Sequence, residues 1–390
     1  MTEVALLVPP LHGHVNPALG TAAELVRRGH GVRVHLPERF RADVEGVGAR
    51  LVPQPEPPEP PWARGLDRLA RFASLPARLA DAARTVAPGV LDALAADPPD
   101  VLAHDQLSVV GRLAAAVVGR PAVQLCTSYA AGPRWSPAAE YTGLPDVPGA
   151  AAAWTGALDE LARTRGTPHL GVPDLLGGTA DPAVVFVPRA LHPAAATYGD
   201  RHAFVGPALR PRPSGEEPPD PELDPDRPLA YVSMGTLFAD WPALGPLCDA
   251  AFADGRWQVV LSSPGAAPER RGPVLVRPHV PQLAVLDRAA VAVTHAGMGS
   301  VLEALHAGVP LVVVPQVPEQ EITAGRLVAL GAAVRLDRDR ATPDALRAAV
   351  EHVAGDARVH RAVARLRHAV RTAGGAPAAA DAVLARAGRV

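Results

Sequence analysis

The sequence predicts an α/β protein built from two doubly wound domains. Three observations carry that prediction. Short β-like runs alternate with amphipathic helical segments through the first half of the chain. The stretch Gly206–Pro228 then holds eight prolines and a run of acids without apolar periodicity, as a stiff linker does. After it the same alternation restarts and continues to the end. The chain has 390 residues, which at roughly 150 residues per domain leaves room for two full-sized cores, or three. The expected domains are 1–205 and 229–390, joined by the linker 206–228, with a last helix able to cross back to the first domain.

The elements follow in order. Val4–Val8 reads as a strand. Asn16 reads as the cap of a helix with Pro17 at its first position and Gly29 closing it. Leu19, Ala22, Leu25 and Val26 form that helix's apolar face. Gly31–Leu36 and Arg50–Val52 are the next strands. The loop Pro53–Pro61 leads into helical sequence reaching about Ala96. Asp100–His104, a helix over Leu107–Val118, and a strand at Pro121–Cys126 complete the pattern, which implies a parallel sheet with right-handed crossovers. Beyond the linker, strands are expected at Leu229–Ser233, Gln258–Ser262, Val274–Arg277, Ala290–Thr294, Leu311–Val314 and Ala333–Leu336. The Ala-rich end, Arg358–Arg389, reads as helix broken near Gly374-Gly375.

Composition excludes several chemistries. All 38 basic residues are arginine, so P-loop, Schiff-base and pyridoxal-phosphate lysines are ruled out. With 40 acidic residues the net charge is −2, which argues against nucleic acid or an anionic membrane as partner. Cys126 and Cys248 form no CxxC, so neither a disulfide framework nor a zinc site is expected, and a reducing cytoplasm fits. Met1-Thr2-Glu3 lacks the positive segment of a signal peptide. The uncharged stretch Val4–Ala23 carries two histidines, Asn16 and three prolines, and so is not a membrane span.

The loop leaving the first strand reads Pro9-Pro10-Leu11-His12-Gly13-His14-Val15-Asn16-Pro17, and the fourth strand ends Ala103-His104-Asp105. In a doubly wound sheet these two strand ends are neighbours at the point where strand order reverses, where ligands bind. A histidine oriented by a carboxylate is a competent general base near neutral pH. The plainer alternative makes His14 a loop residue and Asp105 a cap for the helix at Leu107. A third reading pairs His12 with His14 as metal ligands, although no third ligand is apparent nearby.

In the second domain, Ser233-Met234-Gly235-Thr236 follows the first strand, and Thr294–Glu303 runs from a strand end into a helix. Glycines there let backbone amides approach a phosphate, and a helix N-terminus favours its charge. Without lysine, the amides, His295 and the helix dipole would have to neutralise a diphosphate. The alternatives are a tight turn at Gly297-Met298-Gly299 and a capping box at Ser300-Val301-Leu302-Glu303. A dinucleotide fingerprint fails, because Leu302 stands at the third glycine position. Glu319-Gln320 opens another helix, where acids are ordinary dipole partners, and the pair can equally hold sugar hydroxyls.

Taken together, His295–Glu303, Pro310-Leu311, Glu319-Gln320, Val280-Pro281-Gln282-Leu283, Gly13–Pro17, Arg28-Gly29-His30 and His104-Asp105 resemble family 1 glycosyltransferases, in the bacterial macrolide group. The resemblance spans essentially the full length. It implies a GT-B fold, with two Rossmann-like domains facing across a cleft. It implies His14 as general base with Asp105 as partner. His295 and the amides of Gly297, Gly299 and Ser300 would clamp the diphosphate, and Glu303 would hold the ribose. Glu319 and Gln320 would hold the donor sugar, with Gly235, Thr236, Val280, Gln282 and Thr127 as further donor contacts. His279 stands where the family often has a base-stacking tryptophan. Trp62, Trp135 and Tyr141, with Phe72 and Trp154, fall where relatives build the acceptor wall. The implied activity is inverting, metal-independent transfer from UDP-glucose or a dTDP-sugar, as co-substrate without cofactor, to a hydrophobic small molecule such as a macrolide or polyphenol. A sugar-nucleotide epimerase on the same fold, an inactive binding protein and a nicotinamide oxidoreductase are the competing readings.

Overall fold

The computed structural model describes residues 1–57, 59–132, 134–167, 182–210, 223–236 and 241–387, without the side chain of Trp62. The chain forms two compact units: Met1–Pro211 with Ala373–Val390, and Arg212–Thr372. Of the Pro-rich linker, residues 211–222 lie outside the described residues.

Among the described residues the first unit holds seven parallel strands: β1 (Glu3–Leu7), β2 (Gly31–Leu36), β3 (Arg50–Pro53), β4 (Val101–Asp105), β5 (Ala122–Cys126), β6 (Ala183–Val185) and β7 (His202–Phe204). Their order is β3-β2-β1-β4-β5-β6-β7, so the order reverses between β1 and β4. The helices are α1 (His12–Arg27), α2 (Arg41–Glu45), α3 (Arg68–Ala73), α4 (Leu75–Ala96), α5 (Val109–Val117), α6 (Pro137–Glu140) and α7 (Ala150–Arg165). β1 is buried on both faces, which is why it reads as a continuous apolar run. Val4 and Leu6 enter one core with Leu19, Ala22 and Leu25 of α1. Ala5 and Leu7 enter the other, with Ala80, Ala83 and Leu94 of α4 and Leu158 of α7.

Three expectations need correction here. Helix α1 starts at His12, not after Asn16, so Pro17 lies inside it. The Leu11 carbonyl accepts from the amides of His14 (2.8 Å) and Val15 (2.9 Å) and nucleates the helix without a capping side chain. Pro17 sits one turn in, where its missing N–H removes a single helical bond. At the other end Gly29, at φ +80°, donates to Val26 while His30 donates to Leu25, the paired closure that a left-handed glycine makes possible. The second correction is that Ser108, not Asp105, caps α5: its Oγ accepts from the Gly111 amide at 3.0 Å. The third is that β6 and β7, three residues each, extend the sheet beyond the strands the pattern revealed.

The second unit repeats the plan. Its strands are β8 (Leu229–Ser233), β9 (Gln258–Ser262), β10 (Glu269–Arg271), β11 (Val274–Arg277), β12 (Val291–Thr294), β13 (Leu311–Val313) and β14 (Ala333–Arg335), in the order β10-β11-β9-β8-β12-β13-β14. All pairings are parallel except β10 with β11. The helices are α8 (Leu244–Ala251), α9 (Gln282–Leu286), α10 (Met298–Ala307), α11 (Pro318–Ala329), α12 (Pro343–Gly355) and α13 (Ala357–Thr372). The last helix, α14 (Gly375–Ala387), belongs to the first unit. Ala379, Ala380 and Val383 join the α1 core, and Arg28 binds Asp381 at 2.5 Å. Among the described residues no helix is long and apolar enough to cross a membrane.

Candidate active site

In the first unit the sequence positions His14 by starting α1 immediately after the β1 loop, so His14 is the third residue of the helix. Asp105 is the last residue of β4, and β1 and β4 are paired in register, Leu7 with His104. The result is a contact of 2.9 Å between His14 Nδ1 and Asp105 Oδ2. The carboxylate is fully buried, while the histidine keeps 16% of its side-chain surface exposed. The other carboxylate oxygen, Oδ1, accepts from the Leu107 amide at 2.7 Å. Thus Asp105 both shapes its own loop and engages the histidine. Thr127, just past β5, brings its hydroxyl to 2.9 Å from the same Nδ1.

The tautomer follows from these partners. An ionised carboxylate only accepts, so Nδ1 carries the proton and Nε2 is the basic nitrogen. When Nε2 takes a proton, the adjacent carboxylate stabilises the imidazolium at fixed geometry. The His12–His14 metal pair is not what the structure builds. Residues two apart on a helix face different ways, and the His12 ring packs edge-on against Phe40 at 5.3 Å. Among the described residues, no group of three or more His, Cys, Asp or Glu side chains could hold a metal.

The aromatics divide. Trp135 packs against Tyr129 (5.7 Å) and His192 (5.3 Å), and Tyr141 against Phe72 (5.1 Å). Trp154 is buried in the α4–α7 core, where it anchors helices. Trp62 lies in a single helical turn, Pro61–Ala63.

In the second unit, His295 follows β12, next to β8, whose end carries Gly235 and Thr236. Its ring is held between two glycines. A Cβ on Gly297 would stand 2.2 Å from His295 Nε2, and one on Gly235 would stand 2.6 Å from Cε1. Burial pushes the ring down to about 4, against a hydrogen bond with the Ser233 backbone. At neutral pH His295 is therefore held uncharged and acts as a hydrogen-bonding group. Between His295 and Gly297, Ala296 adopts φ +65°, the single non-glycine residue with positive φ among the described residues. That backbone costs about 1–2 kcal/mol and turns the chain directly into α10.

The capping-box reading of Ser300-Glu303 is overturned. Gly297 is the cap of α10, no side chain caps it, and Ser300 is the third helical residue. Glu303 instead accepts from Gln282 Nε2 at 2.5 Å, and Gln282 Oε1 accepts from the Tyr231 hydroxyl at 2.8 Å. The Tyr231 anchor was invisible in the sequence, since a strand tyrosine is ordinary. Gly299 and Ser300 lie in the first turn of α10, with amides that such a turn leaves for an anion. His279 is exposed beyond β11 and Val280 is buried beside it. Glu319 and Gln320 open α11, and Gln320 Oε1 accepts from the Gln316 amide at 2.8 Å, bracing the preceding loop.

Comparison with known proteins places this architecture. Residues 266–381 match the model for the C-terminal domain of erythromycin biosynthesis protein CIII-like proteins. The chain is 33% identical to NDP-glycosyltransferase YjiC of Bacillus licheniformis, over 97% of this chain and 96% of that protein. It is 32% identical to the demethyllactenocin mycarosyltransferase of Streptomyces fradiae, over 98% and 86%. The solved structure of the glycotransferase of kitacinnamycin superposes with a TM-score of 0.83 at 31% identity, covering 99% of both chains. Two doubly wound units with these loops define the GT-B class of α/β transferases. The chain belongs to the family 1 glycosyltransferases, in the macrolide glycosyltransferase group, and is a hexosyltransferase.

Proposed function

We propose that this enzyme transfers a hexose, with inversion and without metal or cofactor, from a UDP- or dTDP-sugar to a hydroxyl of a hydrophobic natural product. The observation that carries the reading is the His14–Asp105 contact of 2.9 Å, with its carboxylate fully buried. His14 Nε2 takes the acceptor hydroxyl proton as the oxygen bonds to the anomeric carbon from the face opposite the leaving group. The carbon–oxygen bond to the diphosphate breaks, and the nucleoside diphosphate departs with the electron pair. The first-turn amides of α10 and neutral His295 supply preorganised donors for that charge. Glu303, braced by Gln282, is the ribose ligand of this scheme, and Glu319 with Gln320 the sugar ligands. The names of the relatives, an NDP-glycosyltransferase and a mycarosyltransferase, support the donor and the acceptor class. Two free, buried cysteines accord with a reducing cytoplasm.

The test is a screen of UDP- and dTDP-sugars against a macrolide and a polyphenol, read by mass spectrometry with and without EDTA. A product heavier by one sugar under both conditions, with inverted anomeric configuration by NMR, is the expected result. Loss on chelation restored by Mg²⁺ would overturn the metal-independent step. Donor consumed without an acceptor product would favour an epimerase or a hydrolase.

A further inference from the structure

Three adjacent strand ends meet at His14. In the order β1-β4-β5, β1 leads into the helix that carries His14, β4 ends in Asp105, and Thr127 is the first residue past β5. Asp105 pairs in register with Leu125, and the Cys126 carbonyl accepts from the Phe186 amide at 2.9 Å on the other side. Thr127 therefore leaves a strand that is tied along both edges. It is 7% exposed, and among the described residues its side chain makes one hydrogen bond, to His14 Nδ1 at 2.9 Å. A threonine has few side-chain rotamers, so its hydroxyl is held where the strand puts it.

Asp105 Oδ2 lies at the same 2.9 Å from the same nitrogen. A ring nitrogen carries either one proton or one lone pair, so the two contacts constrain each other. If Nδ1 were bare and accepted from the Thr127 hydroxyl, its lone pair would face the Asp105 carboxylate with no proton between them. The arrangement free of that repulsion has the proton on Nδ1, shared between the carboxylate and the Thr127 oxygen. The Thr127 hydroxyl proton then points away from the ring. The ring torsion of a histidine is soft and roughly two-fold. One carboxylate contact leaves the plane loosely set, whereas oxygens from two strands fix it. A half-turn of the ring would leave both oxygens facing a C–H.

We propose that Thr127 is a positioning residue for His14, fixing the ring plane and the Nδ1–H tautomer so that Nε2 is aimed at the acceptor hydroxyl. The family resemblance implies another role for Thr127, a direct contact to the donor. The proposal rests on the general-base reading above and adds the residue that keeps the base in line.

Proton NMR of the full chain in water reads the contact without substrate. The His14 Nδ1–H resonance is assigned by its loss in His14→Ala. In Thr127→Val, close in shape but without the hydroxyl, it should move downfield, because the proton then goes wholly to the charged carboxylate. Thr127→Ala should move it the same way, and Thr127→Ser should leave it near the wild-type position. Initial rates with UDP-glucose and quercetin supply the second readout. Thr127→Val should lower kcat about tenfold, as one orienting hydrogen bond allows, with KM for UDP-glucose unchanged, and Thr127→Ser should restore most of the loss. In a His14→Ala background the same substitution should cost nothing further, since Thr127 acts through His14. A resonance unmoved in Thr127→Val overturns the proposal. So does a penalty that persists undiminished in the His14→Ala background, which would make Thr127 a direct donor contact. A wild-type rate in His14→Ala is a separate result, and it would end the general-base reading itself.

Discussion

The two units place a histidine at matching strand ends and treat it in opposite ways. In the first, β1 adjoins β4, and the pair presents His14 with a buried carboxylate at 2.9 Å. In the second, β8 adjoins β12, and the pair presents His295 clasped by Gly235 and Gly297, with its charge disfavoured by burial. A histidine beside a carboxylate can accept a proton and hold it; one enclosed without a countercharge stays neutral and donates a hydrogen bond. The same topology thus yields a histidine paired with a carboxylate in one unit and a histidine enclosed by glycines in the other. What separates them is whether the neighbouring strand ends in Asp or the surrounding loops end in Gly.

The sharpest way to break this contrast is His14→Ala. Sugar transfer should fall about 10²–10⁴-fold, while calorimetric UDP affinity stays within twofold or so of wild type; comparable activity in the variant would end the general-base assignment.

Lowering pH should expose the other histidine type. His295 and His35 both have folded-state values near 4, below the ordinary 6.5. A depressed value means that their contribution is fully present above about 6.5 and is lost as pH falls toward 4, by up to ~3 kcal/mol per ring. The thermal midpoint should therefore drop through that window. In His35→Leu the drop should be shallower, and an identical pH profile for the variant would contradict the assignment.

A third change tests the clasp. Gly297 has φ −64°, which alanine tolerates, so Gly297→Ala acts only through its Cβ, 2.2 Å from the His295 ring. Displacing the ring should destabilise the unit by about 1–3 kcal/mol and weaken UDP binding severalfold by calorimetry. Wild-type stability and affinity would mean that the ring position is unimportant.

The smallest effect expected is at Ser300. With no capping box, Ser300→Ala should change stability by less than about 0.5 kcal/mol, whereas a working cap would be worth about 1 kcal/mol. Chemical denaturation distinguishes the two.

The doubly wound class, most strands, and the pairing of the His14 loop with Asp105 were legible in the amino-acid string. These are local signals: continuous apolar runs mark strands buried on both faces, and parallel order forces the first and fourth strand ends together. The edge strands β7 and β10 escaped it because edge strands are short and often charged, as Glu269–Arg271 is, and β6 escaped it because three residues make too short a run to stand out. The start of α1 escaped it too, since first-turn amides need no helical partner and Asn16-Pro17 mimics a cap. The rest depends on packing between distant segments. Ser300 and Glu303 have capping-box spacing, yet Glu303 turns to Gln282, on a different helix. His35 and His295 are ordinary letters in apolar strings, and what makes them neutral is the packing around them. Desolvation and hydrogen bonding depend on atoms distant in sequence, and a single chain read in order carries no term for them.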